Sequence, residues 1–208
     1  MIAVIDYGVG NLFSLVSSLS AVGADAVVTG DASVIKNADK IILPGVGAFG
    51  DAAAKLRATG LDEVIKEEAK NGKPLMGICL GMQLLLEKSL EYGEHEGLGL
   101  IEGDIVPISS VIPPEMDLKI PHIGWNALNF TENKSPLFKY INDGDYVYFV
   151  HSYFGARCEK NTIALSEYGA PLTAAVARDN VMGCQFHPEK SGKVGLSILR
   201  AFGDLRSF

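Results

Sequence analysis

The sequence has no run of about 18 consecutive apolar residues, which excludes an ordinary transmembrane helix. Its first residues, Met1 to Asp6, carry no basic region ahead of a long apolar stretch, so no secretory signal is expected. Cysteine is scarce: Cys79, Cys158 and Cys184 are three residues in 208. An odd count with no framework spacing argues against a disulfide scaffold and for a reducing, cytoplasmic location. No Cys-x-x-Cys or His-Glu-x-x-His motif occurs, so no metal site is expected. Positive charge is the minority, with 18 Lys and Arg against 25 Asp and Glu, and no basic block offers a surface for nucleic acid. There is no low-complexity tract, internal repeat or linker. Residues 1–208 are therefore read as one domain.

Hydrophobic residues make up 48% of the chain and charged residues 21%, the proportions of an ordinary globular protein. Apolar runs at 2–5, 26–28, 41–43 and 75–78 alternate with helical patterns near 12–19, 48–58 and 61–71, and another helix is expected over 82–90. Such alternation predicts an α/β fold with an open, mostly parallel twisted sheet flanked by helices. From about residue 101 to 186 short strands and turns predict a smaller antiparallel region in the C-terminal half. There 174–177 and 181–185 form a hairpin across Asp179-Asn180. A last helix is expected over 192–205.

The densest chemical signal is Gly77-Ile78-Cys79-Leu80-Gly81, lying between a buried strand and a helix. It has the form of a nucleophile elbow with Cys in place of Ser. Because the thiolate is the reactive form, a nucleophilic Cys needs a base. His187 and Glu189 supply a candidate pair, since residues two apart in an extended segment face the same side. Glu189 would orient the imidazole and His187 would deprotonate Cys79. His151 is the second candidate base. His122 is ambiguous, either a strand-end histidine or part of a site, and His95 reads as solvated in an acidic loop. Cys158 has no catalytic context, and Cys184 reads as core. The backbone N–H of Leu80 is placed to stabilise an oxyanion, and a second donor could come from the loop Pro44-Gly45-Val46-Gly47, at Val46. Gly8-Val9-Gly10 begins like a dinucleotide fingerprint, but Phe13 occupies the position of its third glycine, so no dinucleotide cofactor is expected.

Gly-Ile-Cys-Leu-Gly-Met-Gln at 77–83 with the distant His187-Pro188-Glu189 resembles the class I, or triad, glutamine amidotransferases. Segments 6–12, 44–49, 121–126, 149–153 and 186–191 support the resemblance across nearly the whole chain. It implies that Cys79 attacks the side-chain amide of L-glutamine and that no cofactor is needed. Gly47, Gln83, Glu91, His151, Ser152 and Tyr153 are implied to bind glutamine, with Glu91 meeting its α-ammonium. A partner is implied too: a separate (β/α)8-barrel cyclase subunit that receives the ammonia, met by a face bearing Asn11, Trp125 and Lys190. Three other readings compete. One is a related glutaminase feeding ammonia to surface-sugar amidination, and another is a catalytically silent regulatory module on the same fold. The third, a Cys-dependent α/β-hydrolase, is disfavoured because Glu189 follows His187.

Overall fold

The computed structural model describes residues 1–206. Its first half runs β1 (Ile2–Ile5), α1 (Leu12–Ala21), β2 (Ala26–Thr29), α2 (Ala32–Asn37), β3 (Lys40–Gly45), α3 (Phe49–Ala58), α4 (Leu61–Lys70), β4 (Leu75–Cys79) and α5 (Leu80–Leu85). Short strands follow: β5 (Lys88–Ser89), β6 (His95–Glu96), β7 (Asp104–Pro107), β8 (His122–Ala127), β9 (Asn129–Phe130), β10 (Tyr146–His151), β11 (Tyr153–Ala156), β12 (Thr162–Glu167), β13 (Pro171–Arg178) and β14 (Val181–Cys184). Helix α6 (Gly192–Gly203) closes the order.

Eight strands form the central sheet in the order β2-β1-β3-β4-β14-β13-β12-β9. The members from β2 to β14 pair in parallel, and those from β14 to β9 pair antiparallel. The expected antiparallel region is thus largely a continuation of the parallel sheet. The reason lies in the hairpin of β13 and β14: its second strand returns to the middle and pairs its backbone with β4, Val181 opposite Leu75 and Cys184 opposite Ile78. Two small sheets stand apart, β10-β8 and β11-β7-β5-β6.

Period-two alternation divides each central strand between two cores. Ala3, Ile5, Ile41, Leu43 and Leu75 pack with α2 to α5 on one face. Ile2, Val4, Ile42, Met76 and Ile78 pack with Leu15 and Leu19 of α1 and Ile198, Leu199 and Phe202 of α6 on the other. A sheet covered on both faces explains why its parallel strands read as unbroken apolar runs.

Three helix ends are fixed by local contacts. Helix α2 follows a short loop and is capped by Asp31, whose Oδ1 accepts the Ser33 N–H at 2.7 Å. Asn11 occupies the N-cap position of α1 but makes no capping bond; its Nδ2 donates to Ser14 Oγ. The helix expected over 82–90 stops at Leu85. Its last carbonyls are taken by a crossing segment, Leu98 N–H to Leu84 O at 2.8 Å and Leu100 N–H to Leu85 O at 2.9 Å, and the chain leaves as strand β5.

Candidate active site

Cys79 ends β4, the strand between β3 and β14, and α5 begins at the next residue. The backbone at Cys79 has φ 54° and ψ −111°, a left-handed conformation that costs a side-chain-bearing residue on the order of 1–3 kcal/mol. The flanking glycines let the turn form. A Cβ on Gly81 would lie 1.8 Å from Leu43 O of β3, and one on Gly77 would lie 2.6 Å from the Gly81 carbonyl. The elbow therefore requires Gly at both positions, because backbone crosses backbone there.

The cavity at this sheet edge has a volume of about 350 Å³. Its walls include Val46, Gly47, Cys79, Leu80, Gln83, Glu91, His151, Ser152, Tyr153, His187 and Lys190. Nearly every residue read from the sequence as catalytic, oxyanion-forming or glutamine-binding thus meets in one place, at the carboxyl ends of parallel strands. Asn11 and Trp125 lie outside the cavity walls; both are exposed, Trp125 with 55% of its surface free beside Tyr148. Lys190 reaches the cavity from an exposed position.

His187 donates or shares its Nδ1 proton with Glu189 Oε1 at 2.8 Å, and both side chains are almost fully buried. The pair does not arise from an extended segment, as the spacing suggested. Residues Pro188–Lys190 form a turn of 3-10 helix. Ser191 Oγ donates to His187 O at 2.6 Å, and the Lys190 N–H donates to the same carbonyl. This tight turn folds Glu189 back beneath the ring. Burial alone would lower the His187 pKa. Hydrogen bonds to Cys79 and Glu189, with their negative charge, outweigh it and raise the value to about 9. Glu189 Oε2 is buried and has no partner among the described residues, so its charge is answered chiefly by the imidazole.

His151 is not a second base. Its Nδ1 faces Tyr153 O at 2.8 Å and its Nε2 faces His122 Nδ1 at 3.0 Å. A carbonyl can only accept, so His151 Nδ1 carries the proton and its Nε2 accepts from His122. Both ring nitrogens are occupied, and burial lowers both histidines to about 4. His122 itself is buried, stacked on Phe149 and Tyr168. His95 is half-buried and lies in strand β6 rather than in a loop, with its ring against Gly50.

Glu91 Oε2 accepts the Phe49 N–H at 2.5 Å, at the first residue of α3. It therefore ties the wall of the cavity to the end of the Val46–Gly47 loop. The other end of that loop is held by Tyr7, whose hydroxyl donates to Pro44 O at 2.9 Å. Burial first, and then the charge at Cys79, pushes the Tyr7 phenol well above its usual range, so it stays a donor. Tyr7 and Gln185, which lies beside the Cys79 sulfur, were not singled out from the sequence. Cys158 and Cys184 are buried and unpaired, and burial raises both thiols. Among the described residues no cluster of His, Cys, Asp or Glu could hold a metal ion. No described helix is long and apolar enough to cross a membrane.

Residues 3–203 match the family Glutamine amidotransferase class-I. The chain is 52% identical to imidazole glycerol phosphate synthase subunit HisH of Caldanaerobacter subterraneus subsp. tengcongensis, over 99% of this chain and 98% of that one. It is 50% identical to the subunit of the same name from Oceanobacillus iheyensis, over 99% of each. Among solved structures, one titled as a glutamine amidotransferase superposes with TM-score 0.74 at 17% identity, covering 98% of this chain and 100% of that one. PurLQS from Thermotoga maritima gives 0.72 at 22% identity over 97% and 96%. At these identities the solved structures establish the shared α/β fold.

Proposed function

Because the chain belongs to the class I glutamine amidotransferases, and within them to the HisH subunits of imidazole glycerol phosphate synthase, we propose that Cys79, His187 and Glu189 are its catalytic triad, hydrolysing L-glutamine to glutamate and ammonia for a separate (β/α)8-barrel cyclase subunit. The cyclase joins the ammonia to a ribonucleotide and yields imidazole glycerol phosphate and aminoimidazole carboxamide ribonucleotide, in L-histidine biosynthesis. Residues 1–208 act as one glutaminase domain, and its three unpaired cysteines suit a reducing cytoplasm.

The reading rests on one observation above the rest: a buried imidazole, hydrogen-bonded to a carboxylate and raised to about 9, shares a cavity with a Cys at a strained elbow. In the first half-reaction the Cys79 sulfur bonds to the amide carbon of glutamine. The carbonyl oxygen takes the negative charge, and the backbone N–H groups of Leu80 and Val46, both in the cavity wall, are the donors for it. His187 delivers its proton to the departing nitrogen, and ammonia leaves. In the second half water attacks the thioester carbon, His187 takes a proton from that water, and the carbon–sulfur bond breaks to release glutamate. Glu189 orients the ring and stabilises its charged form in both halves.

Substrate binding falls to the rest of the wall. Both amide hydrogens of Gln83 are spent within the protein, on Tyr153 O and Gln185 Oε1, so its carbonyl oxygen is what it offers a ligand. Gly47, Ser152 and Tyr153 line the cavity, His151 braces the Tyr153 carbonyl, and Glu91 supplies negative charge for the α-ammonium. Asn11, Trp125 and Lys190 meet the cyclase. The test is glutamate release from L-glutamine by the chain alone, with the cyclase, and with cyclase plus ribonucleotide. Strong activation in the third condition supports the reading. Absence of activation, with the cyclase active on ammonium salts, rejects it in favour of another ammonia acceptor.

A further inference from the structure

The triad leaves one buried polar side chain beside the nucleophile without a role. Gln185 follows β14 and has no exposed surface. A buried amide must find partners for its own groups. Its Oε1 accepts from Gln83 Nε2 at 3.0 Å, and its Nε2 lies 3.8 Å from Cys79 Sγ. The orientation is forced. Gln83 Nε2 also donates to Tyr153 O at 3.2 Å, and that carbonyl receives the His151 Nδ1 proton at 2.8 Å. His151 Nε2 in turn accepts from His122 Nδ1 at 3.0 Å. Reversing the Gln185 amide would set donor against donor at Gln83 and a carbonyl oxygen against the sulfur. A chain of oriented bonds thus runs from His122 in β8 to the nucleophile.

We propose that Gln185 is a catalytic residue of the glutaminase reaction, donating its Nε2–H to the Cys79 sulfur whenever that sulfur carries the charge. The proposal rests on the reading of Cys79 as the nucleophile. An N–H donor stabilises anionic sulfur before attack. It does so again in the second half-reaction, when the electron pair of the breaking carbon–sulfur bond returns to sulfur and the water proton passes to His187. The Gln185 proton stays on its nitrogen throughout. A thioester sulfur accepts hydrogen bonds poorly, so the contact is strongest on either side of the intermediate. It therefore favours the step that breaks the thioester over the thioester itself.

Gln185→Met keeps the length and burial of the side chain and removes the donor. In the complex with the cyclase, alkylation of Cys79 by iodoacetamide, followed by intact-protein mass, is expected to slow by about tenfold. Protein quenched in acid during turnover is expected to carry more glutamyl thioester than the wild type. Circular dichroism verifies the fold. Unchanged alkylation and an unchanged thioester fraction in a folded variant overturn the proposal. If Gln185→Met does not fold, the wild type decides: with isotope-labelled glutamine side chains, the Gln185 amide resonance must shift when Cys79 is alkylated, and an unmoved resonance overturns the proposal. A wild-type complex that alkylates at Cys79 yet releases no glutamate would instead reject the glutaminase reading and leave the Gln185 contact standing.

Discussion

Replacing Glu189 by Gln removes one negative charge from the proposed triad and keeps its shape. Glu189 Oε1 lies 2.8 Å from His187 Nδ1, and the imidazole is raised from 6.5 to about 9, with burial opposing the rise and Cys79 and Glu189 driving it. A group raised on folding contributes stability that is fully present below its unfolded value and is lost as pH climbs through the folded one, here between 6.5 and about 9. Cys79 drives the same rise from the other side of the ring's hydrogen bonds, so it has to be removed before the share due to Glu189 can be read. The contribution of Glu189 is isolated by comparing Cys79→Ala with Cys79→Ala/Glu189→Gln. A hydrogen bond to a charged group is worth about 1.5–3 kcal/mol, so the Glu189→Gln penalty is expected to be larger by that amount at about pH 5.5 than at about pH 9.5. For a chain of this size each kcal/mol moves Tm by about 2–4 °C, so the Tm gap between the two proteins should widen by about 3–12 °C on acidification. Differential scanning calorimetry across that range is the assay. A gap that does not change with pH refutes the argument, since it would mean that Glu189 faces no protonated imidazole. With Cys79 present and the cyclase bound, Glu189→Gln is expected to lower kcat by about three to four decades, the loss seen when a triad carboxylate becomes an amide.

Three further outcomes follow from the geometry. Cys79→Ala is expected to abolish glutamate release while leaving cyclase affinity nearly unchanged in isothermal titration calorimetry; normal turnover would remove Cys79 as the nucleophile. Gly81→Ala places a Cβ 1.8 Å from the Leu43 carbonyl of a buried strand, so its destabilisation should reach or exceed the top of the usual range of about 1–3 kcal/mol for overpacking. Gly144→Ala, at φ 87° with nothing within 4 Å, should cost only the left-handed penalty of about 1–2 kcal/mol, and equal Tm values for the two variants would contradict the elbow geometry. Trp125→Ala, at a side chain 55% exposed, is expected to weaken cyclase binding by at least about tenfold with little change in Tm, as an aromatic anchor would. Equal affinity would take Trp125 out of the interface.

The parts of the site legible in the sequence are those made by neighbours along the chain. Gly77, Cys79 and Gly81 encode the elbow because the constraint is steric and local, and the apolar run before them fixes the strand that lifts it to the sheet edge. His187 and Glu189 meet as their spacing suggests but through a different backbone, because a Pro-containing 3-10 turn and an extended segment both bring residues two apart together. The helix expected to reach residue 90 was cut short by residues 98–101, a partner that periodicity over one window does not contain.

His151 and Gln185 show the deeper limit. A histidine at a strand end and a glutamine beside a catalytic motif have the same local sequence whether they act as base, donor or packing. What separates these roles is which ring nitrogen or amide end is already committed. For His151 the Tyr153 carbonyl fixes the proton on Nδ1 and leaves Nε2 to a histidine 29 residues away, and for Gln185 the commitment comes from Gln83, 102 residues away. Gln83 does not act alone, because it fixes Gln185 only when its own second hydrogen bond, to the Tyr153 carbonyl, is made. The chemistry of Cys79 is therefore written locally, whereas the polarity of its surroundings is set by a chain of bonds that exists only after β8, β10 and β14 have packed around α5. A substitution at His122, far along that chain, should consequently perturb the reaction through orientation of the cavity wall, raising KM for glutamine, before it disturbs the triad itself.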